Sequence, residues 1–210
     1  MHVGTAQSPR RHWVASRAEL GPCLLLAVWL GVLAGAPALA QSDGNVGLSG
    51  LIDQSGSPFS GAALAGRPYA IFFGFTHCPD VCPTTLMTLS NTLKRLGADA
   101  DRLRILFVSV DPERDTPEQL RHYLAAFDAR IIGLTGSEAQ IAAAAKSWKV
   151  YHNKIREDDG SYTIVHSAYV YLIDPANRLV GTMGFQDSEE EQAAKLRSLL
   201  EGTGRKGGGG

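Results

Sequence analysis

Apolar residues recur along this chain in two ways, as short continuous runs and as stripes spaced three or four apart. The runs Tyr69-Ala-Ile-Phe-Phe73 and Arg104-Ile-Leu-Phe-Val-Ser-Val110 have the length and composition of buried strands. Ile131-Ile-Gly-Leu134 reads as a shorter strand. Ala168-Tyr-Val-Tyr-Leu-Ile173 and Leu179-Val-Gly-Thr-Met183 read as a hairpin, because Asp174-Pro-Ala-Asn177 between them has turn chemistry. The stripe Leu86, Leu89, Leu93 and Leu96 predicts a helix over 84–96. A second helix carries Leu120, Tyr123, Leu124 and Phe127, and opens with Thr116 as N-cap, Pro117 at the first helical position and Gln119 at the third. Ser137 with Gln140 opens a third helix over 141–150. Ser188 with Glu191 opens a fourth, whose imperfect apolar face is Ala194, Leu196 or Arg197, Leu199 and Leu200. Gln41 to Pro58 is polar, with short strands at Val46-Gly-Leu48 and Leu51-Ile52. Phe59 to Arg67 reads as loop, and Tyr151 to Ser161 as coil turning at Asp158-Asp-Gly160.

The resulting order is β-α-β-α-β-α-β-β-α. Alternation followed by a hairpin implies the α/β class, in a thioredoxin-like fold with a mixed central sheet and helices on both faces. Residues 1–40 stand outside it. Arg10, Arg11 and Arg17 form a basic stretch, Leu24 to Leu33 an apolar one, and Ala38-Leu39-Ala40 a small-residue cleavage site. These residues read as a signal peptide or, uncut, as an N-terminal anchor with residues 20–40 as the membrane tether. The expected location is the periplasm or another exported position, held at the inner membrane in the second case. Residues 41–201, roughly 160 positions, are enough for one domain with a real core. Residues 202–210, rich in glycine around Arg205 and Lys206, read as a disordered tail. The 20 basic and 21 acidic side chains leave a net charge of −1, and no basic stripe with interleaved aromatics occurs, so nucleic acid is not an expected partner. A monomer is the expected state.

Chemistry concentrates in Gly74-Phe-Thr-His-Cys-Pro-Asp-Val-Cys-Pro83, where a strand ends and a helix begins. A helix N-terminus favours a thiolate, and strand ends of open α/β sheets gather reactive groups, which makes Cys78 and Cys82 candidates for thiolate chemistry. The four-residue separation lets both sulfurs face one point. It allows a reversible disulfide, a structural disulfide in an oxidising compartment, or a two-sulfur metal site short of ligands. So small a loop constrains the unfolded chain little, which weakens the structural reading. Cys23 lies ahead of the apolar stretch and reads as a small apolar residue.

Of six histidines, His2 and His12 fall in the N-terminal segment, His122 on the second helix and His152 in the coil, where solvent is its default partner. His77 adjoins Cys78 but would have to fold back across its own backbone to share a metal with it. His166 immediately precedes the Ala168 strand. In a thioredoxin-like domain that position lies against the cysteine turn, and thiol oxidoreductases of the fold place a cis-proline there. A histidine in its place completes a Cys78, Cys82, His166 set, which suits Cu(I). Met87 and Met183 read as core packing.

Three stretches together, Phe72 to Pro83, Val108-Ser-Val-Asp-Pro-Glu-Arg-Asp-Thr-Pro117 and His166-Ser-Ala-Tyr-Val-Tyr-Leu-Ile-Asp-Pro175, resemble the hallmark blocks of the Sco/SenC family. The resemblance implies a thioredoxin-like fold tethered to or beside a membrane. It also implies copper handling during assembly of the CuA centre of cytochrome c oxidase, with Cys78, Cys82 and His166 as copper ligands. The implied partners are the oxidase's copper-bearing subunit and a copper donor protein, and the activity is metal delivery without a catalytic residue. The alternative is a thiol-disulfide reductase that keeps the oxidase's cysteines reduced, with Cys78 and Cys82 as its redox-active pair. A peroxidase reading lacks the arginine or glutamine partners such sites use. Family members often carry an acidic residue before the histidine, where this chain has Val165. Asp80 and Asp111 stand near the motif, with turn and strand-end hydrogen bonding as their ordinary roles.

Overall fold

A computed structural model describes residues 47–202. The expected signal peptide or anchor over 1–40, Val46, and the glycine-rich tail from residue 203 lie outside the described residues. The elements are β1 (Ile52–Asp53), β2 (Tyr69–Gly74), α1 (Val81–Leu96), β3 (Arg104–Ser109), α2 (Pro117–Leu124), β4 (Ile131–Thr135), α3 (Glu138–Ser147), β5 (His152–Arg156), β6 (Tyr162–His166), β7 (Tyr169–Ile173), β8 (Leu179–Gly184) and α4 (Glu189–Gly202). Six strands form one sheet in the order β1-β4-β3-β2-β7-β8. β2, β3 and β4 run parallel, while β1, β7 and β8 are antiparallel to their neighbours. This is the mixed sheet expected of a thioredoxin-like domain.

Alternation along the buried strands divides the core in two. Ala70 and Phe72 of β2 and Ile105 and Phe107 of β3 face α1, α2 and α4, where Leu86, Leu89, Leu93, Leu120, Leu124 and Leu196 pack on them. Ile71, Phe73, Leu106 and Val108 face the opposite side, against Ile141, Ala144 and Ala145 of α3 and against Leu48 and Leu51. The helix starts follow from their caps. Thr116 Oγ1 accepts from the Gln119 N–H, and Ser137 and Gln140 form a reciprocal capping box in which each side chain accepts the other's backbone N–H.

Five expectations are corrected. Val46-Gly-Leu48 is not a strand: the described part is a turn, with Gly47 and Gly50 at positive φ. The loop over 59–67 contains a short 3-10 turn, Gly61–Leu64. Helix α1 begins at Val81, so Cys82 lies inside its first turn. The coil over 151–161 is largely strand: β5 pairs antiparallel with β6 in a separate two-stranded sheet, with the expected turn retained where the Gly160 N–H donates to the Glu157 carbonyl. The polar composition of His152 to Arg156 concealed this strand, because most of it faces solvent. Met87 also departs from its core assignment and is 46% exposed, whereas Met183 is fully buried.

Leu89→Ala should lower stability by about 2–5 kcal/mol through the cavity it leaves. Met87→Ala should change it by less than about 0.5 kcal/mol. Chemical denaturation of both variants checks the assignment of faces on α1.

Candidate metal centre

The site forms where β2 runs into α1. The chain leaves the sheet at Gly74 and turns so that the Cys78 N–H donates to the Phe75 carbonyl. Cys78 is half-buried and Cys82 fully buried, and both are free thiols. The Cys82 backbone N–H, in the first turn of α1, donates to Cys78 Sγ at 3.4 Å. Gly74 is required on steric grounds: a Cβ there would come within 2.8 Å of Cys82 Sγ and 2.7 Å of the Phe107 ring. The absence of a side chain lets Cys82 seat its sulfur against the end of the strand.

His166 arrives from the end of β6. Its ring stands edge-on to Phe75 and Phe72, with centroids at 5.7 and 6.3 Å. Nδ1 lies 3.0 Å from the Ser167 carbonyl. A proton on Nδ1 satisfies that carbonyl and leaves Nε2 with a free lone pair, directed at Cys82 Sγ 3.4 Å away. The ligand atoms of Cys78, Cys82 and His166 all lie within 4.8 Å of one another. Ligands about 2.0–2.3 Å from a common ion sit about 3–4.5 Å apart, so the three atoms fit a single soft metal ion with little movement.

The two thiols differ sharply. Hydrogen bonding from Cys82, opposed by burial and reinforced by His166 and backbone N–H groups, lowers the Cys78 pKa to about 4. The same contact, together with burial, pushes Cys82 far up. At neutral pH one thiolate is therefore held by one thiol.

The loop after β3 supports both halves of the site. Buried Asp115 accepts from the Thr76 hydroxyl at 2.7 Å, from the Thr76 N–H at 3.0 Å and from the Ser109 hydroxyl at 2.6 Å, which ties the cysteine turn to β3. Burial raises its pKa. Buried Asp111 pairs with Arg114 and accepts from the Tyr162 hydroxyl at 2.8 Å. Arg114 also donates to the Tyr162 carbonyl at 3.1 Å and lies over the Tyr162 ring at 3.8 Å. Lys154 reaches Glu113 at 2.5 Å. The β5–β6 hairpin, and His166 with it, is thus fastened to the same loop.

The sequence-selected residues divide clearly. Cys78, Cys82 and His166 come together. His77 turns toward Thr76 and Asp115, His122 lies exposed beside Glu118, and exposed Asp80 accepts from the Thr84 hydroxyl. Val165 is 48% exposed on the outer face of the hairpin, so a side chain at that position points away from the cluster. Asp115, Arg114 and Tyr162 were not singled out, although the first two lie within the second hallmark block. Periodicity carries no signal for a buried carboxylate that serves a distant loop.

The comparisons fall on the same region. The SCO1/SenC family profile matches residues 46–201, and the chain belongs to that family. It is 38% identical over 165 residues to the mitochondrial protein SCO2 of Saccharomyces cerevisiae, covering 75% of this chain but only 54% of the yeast protein. The copper-bound structure of ScoI from Bradyrhizobium japonicum is 45% identical with a TM-score of 0.67, covering 71% of this chain and 95% of that one. BsSco, described as a member of the Sco family of cytochrome c oxidase assembly proteins and as having a disulfide switch, is 26% identical with a TM-score of 0.56, covering 72% and 90%. Among the described residues no helix is long and apolar enough to cross a membrane.

Two outcomes are expected from this geometry. In the reduced, metal-free protein, alkylation of Cys78 should persist well below the ordinary thiol pKa of about 8.5. Its rate should fall only as the pH drops through about 4, because the thiolate exists above that value and is protonated below it, while Cys82 stays unmodified. Peptide mapping across a pH series checks this. Arg114→Ala should cost on the order of 2 kcal/mol, less than a fully buried pair because Arg114 is 24% exposed. It should also speed amide exchange in β5 and β6 ahead of the six-stranded sheet.

Proposed function

We propose that the chain is a copper carrier that holds Cu(I) between Cys78, Cys82 and His166 and passes it on during assembly of the CuA centre of cytochrome c oxidase. The observation that carries this reading is the convergence of two sulfurs and one imidazole nitrogen within 4.8 Å. Two soft thiolates with one neutral imidazole favour Cu(I) over hard ions. With only three protein donors, an acceptor's ligand has room to join before one of the carrier's leaves. The copper-bound ScoI and the oxidase-assembly description of BsSco support the same reading. The partners are then a copper donor and the oxidase's copper-bearing subunit. The setting is the periplasm or an equivalent exported compartment, with residues 1–40 as signal or anchor.

A second reading is supported by the unequal thiols. A Cys78 thiolate beside a buried Cys82 thiol is an attacking and resolving pair, as a thiol-disulfide reductase requires. The two readings exclude each other in time, because the Cys78–Cys82 disulfide has no thiolates left to offer copper.

Anaerobic titration of the reduced protein with Cu(I) against a competing chelator separates them. One tightly bound equivalent is expected, with Cys78→Ser and His166→Ala each weakening it by tenfold or more, on the order of the loss that even an outer partner of a metal site costs. If His166→Ala binds as tightly as the parent while disulfide exchange with a model substrate is fast, the reductase replaces the carrier.

A further inference from the structure

The C-terminal end of α3 forms a basic and aromatic corner that the metal centre does not use. Lys146, Ser147 and Lys149 are exposed there, and Tyr151 is 60% exposed. Neither lysine makes an ion pair or side-chain hydrogen bond among the described residues. Trp148, between them, is half-buried against Tyr171 of β7, with ring centroids 5.9 Å apart. Tyr169, two residues earlier on the same face of that strand, is 55% exposed. No acidic residue occurs in 139–156 or in 163–173, although the chain as a whole has a net charge of −1. The corner adjoins the metal centre: Ser167, next to His166, donates its N–H to the Tyr151 carbonyl, and its hydroxyl oxygen accepts from the Tyr151 N–H at 3.1 Å. It is also where the described chain starts, since a Cβ on Gly47 would lie 2.6 Å from Ser147 Cβ. Residues 41–46 separate Gly47 from the segment read as signal or anchor, a reach of about 25 Å at most.

We propose that this corner, with Lys146, Lys149, Tyr151 and Tyr169, is a docking face for the surface of an anionic bilayer. The inference rests on the reading that sets the carrier beside a membrane, and it names the face turned to the lipid. Lysine ammonium groups are drawn to anionic headgroups, and tyrosine rings settle at headgroup level, where one end is apolar and the other wet. A protein partner fits less well: tyrosine suits protein interfaces, but lysine is depleted in them. Because Ser167 joins the corner to His166, docking keeps the metal centre beside the bilayer. A membrane-held acceptor is then met by motion in two dimensions.

The test mixes the full chain with vesicles of phosphatidylcholine, with or without phosphatidylglycerol, and reads flotation and amide exchange over 146–151. The chains are the parent, the double variant Lys146→Gln with Lys149→Gln, and Tyr151→Ser. Exchange in the parent should slow severalfold on the anionic vesicles and keep its solution rate on phosphatidylcholine, and added salt should reverse the slowing. The ratio of docked to undocked chain should fall about fivefold for each lysine neutralised. Tyr151→Ser should lower it without removing the salt dependence. Unfolding midpoints should match the parent, because all three substituted side chains are exposed. Equal exchange on the two lipids overturns the docking face, and flotation on phosphatidylcholine then still supports the anchor. A chain that fails to float on phosphatidylcholine loses the anchor, while salt-sensitive protection on the anionic vesicles still supports the face. The Cu(I) titration of the same chains reads the carrier separately.

Discussion

Two carboxylates buried in the loop between β3 and α2 are the constraint on which the site depends. A buried carboxylate is tolerated only when its oxygens are satisfied, since its desolvation is otherwise costly. Asp115 is satisfied by Thr76 and Ser109, and in meeting its own requirement it fixes the turn that presents Cys78 and Cys82. Asp111 is satisfied by Arg114 and Tyr162, and it fixes the ribbon that presents His166. Candidate ligands separated by more than eighty positions are registered against one another because both anchor to carboxylates four positions apart in the same short loop. The hydrophobic core sets the sheet, but the placement of the three donors comes from these polar ties.

The contrast between the sulfurs gives the centre a defined resting state and a defined cost of loading. Cys78 is already a thiolate, held by the Cys82 thiol and the N-terminus of α1. Cys82 must give up a proton that burial and its neighbour hold tightly. An ion taken by both sulfurs therefore releases protons as it binds, chiefly from Cys82, and its charge substitutes for the proton that had kept two sulfurs from repelling each other. The same inequality makes Cys78 the sulfur that, on the copper-carrier reading, would first meet a partner: it is the less buried and the ionised one, with Pro79 and Asp80 exposed beside it.

Much of this was legible in the sequence, for identifiable reasons. The buried strands β2 and β3 are continuous apolar runs, and the starts of α2 and α3 carry capping residues whose bonds are made as expected. Cys78, Cys82 and His166 could be selected because motif spacing and position relative to a strand are properties of sequence. The hairpin was missed because β5 buries so little of itself that its composition matches coil. That single miss displaced His152 from a strand opposite His166 to a loop facing solvent. Met87 was misplaced because a thioether at an apolar-looking helical position is ambiguous until the neighbouring elements are known. Asp115, Arg114 and Tyr162 act through side-chain bonds across 39 to 51 positions, which no local pattern encodes.

The hairpin also explains why one candidate ligand differs in kind from the other two. The cysteines belong to a turn and helix continuous with the main sheet and packed on its core. His166 belongs to a two-stranded ribbon that shares no ladder with that sheet. A ribbon of two strands is marginal by itself and depends on what it packs against, here Ile164 in the core, the Arg114 and Asp111 contacts with Tyr162, and Lys154 with Glu113. Loosening those few contacts would free the end of the ribbon that carries His166 more readily than the turn and helix that carry the sulfurs. On the copper-carrier reading, the imidazole is then the donor that an acceptor's incoming ligand displaces first, with both sulfurs still in place and without unfolding of the main sheet.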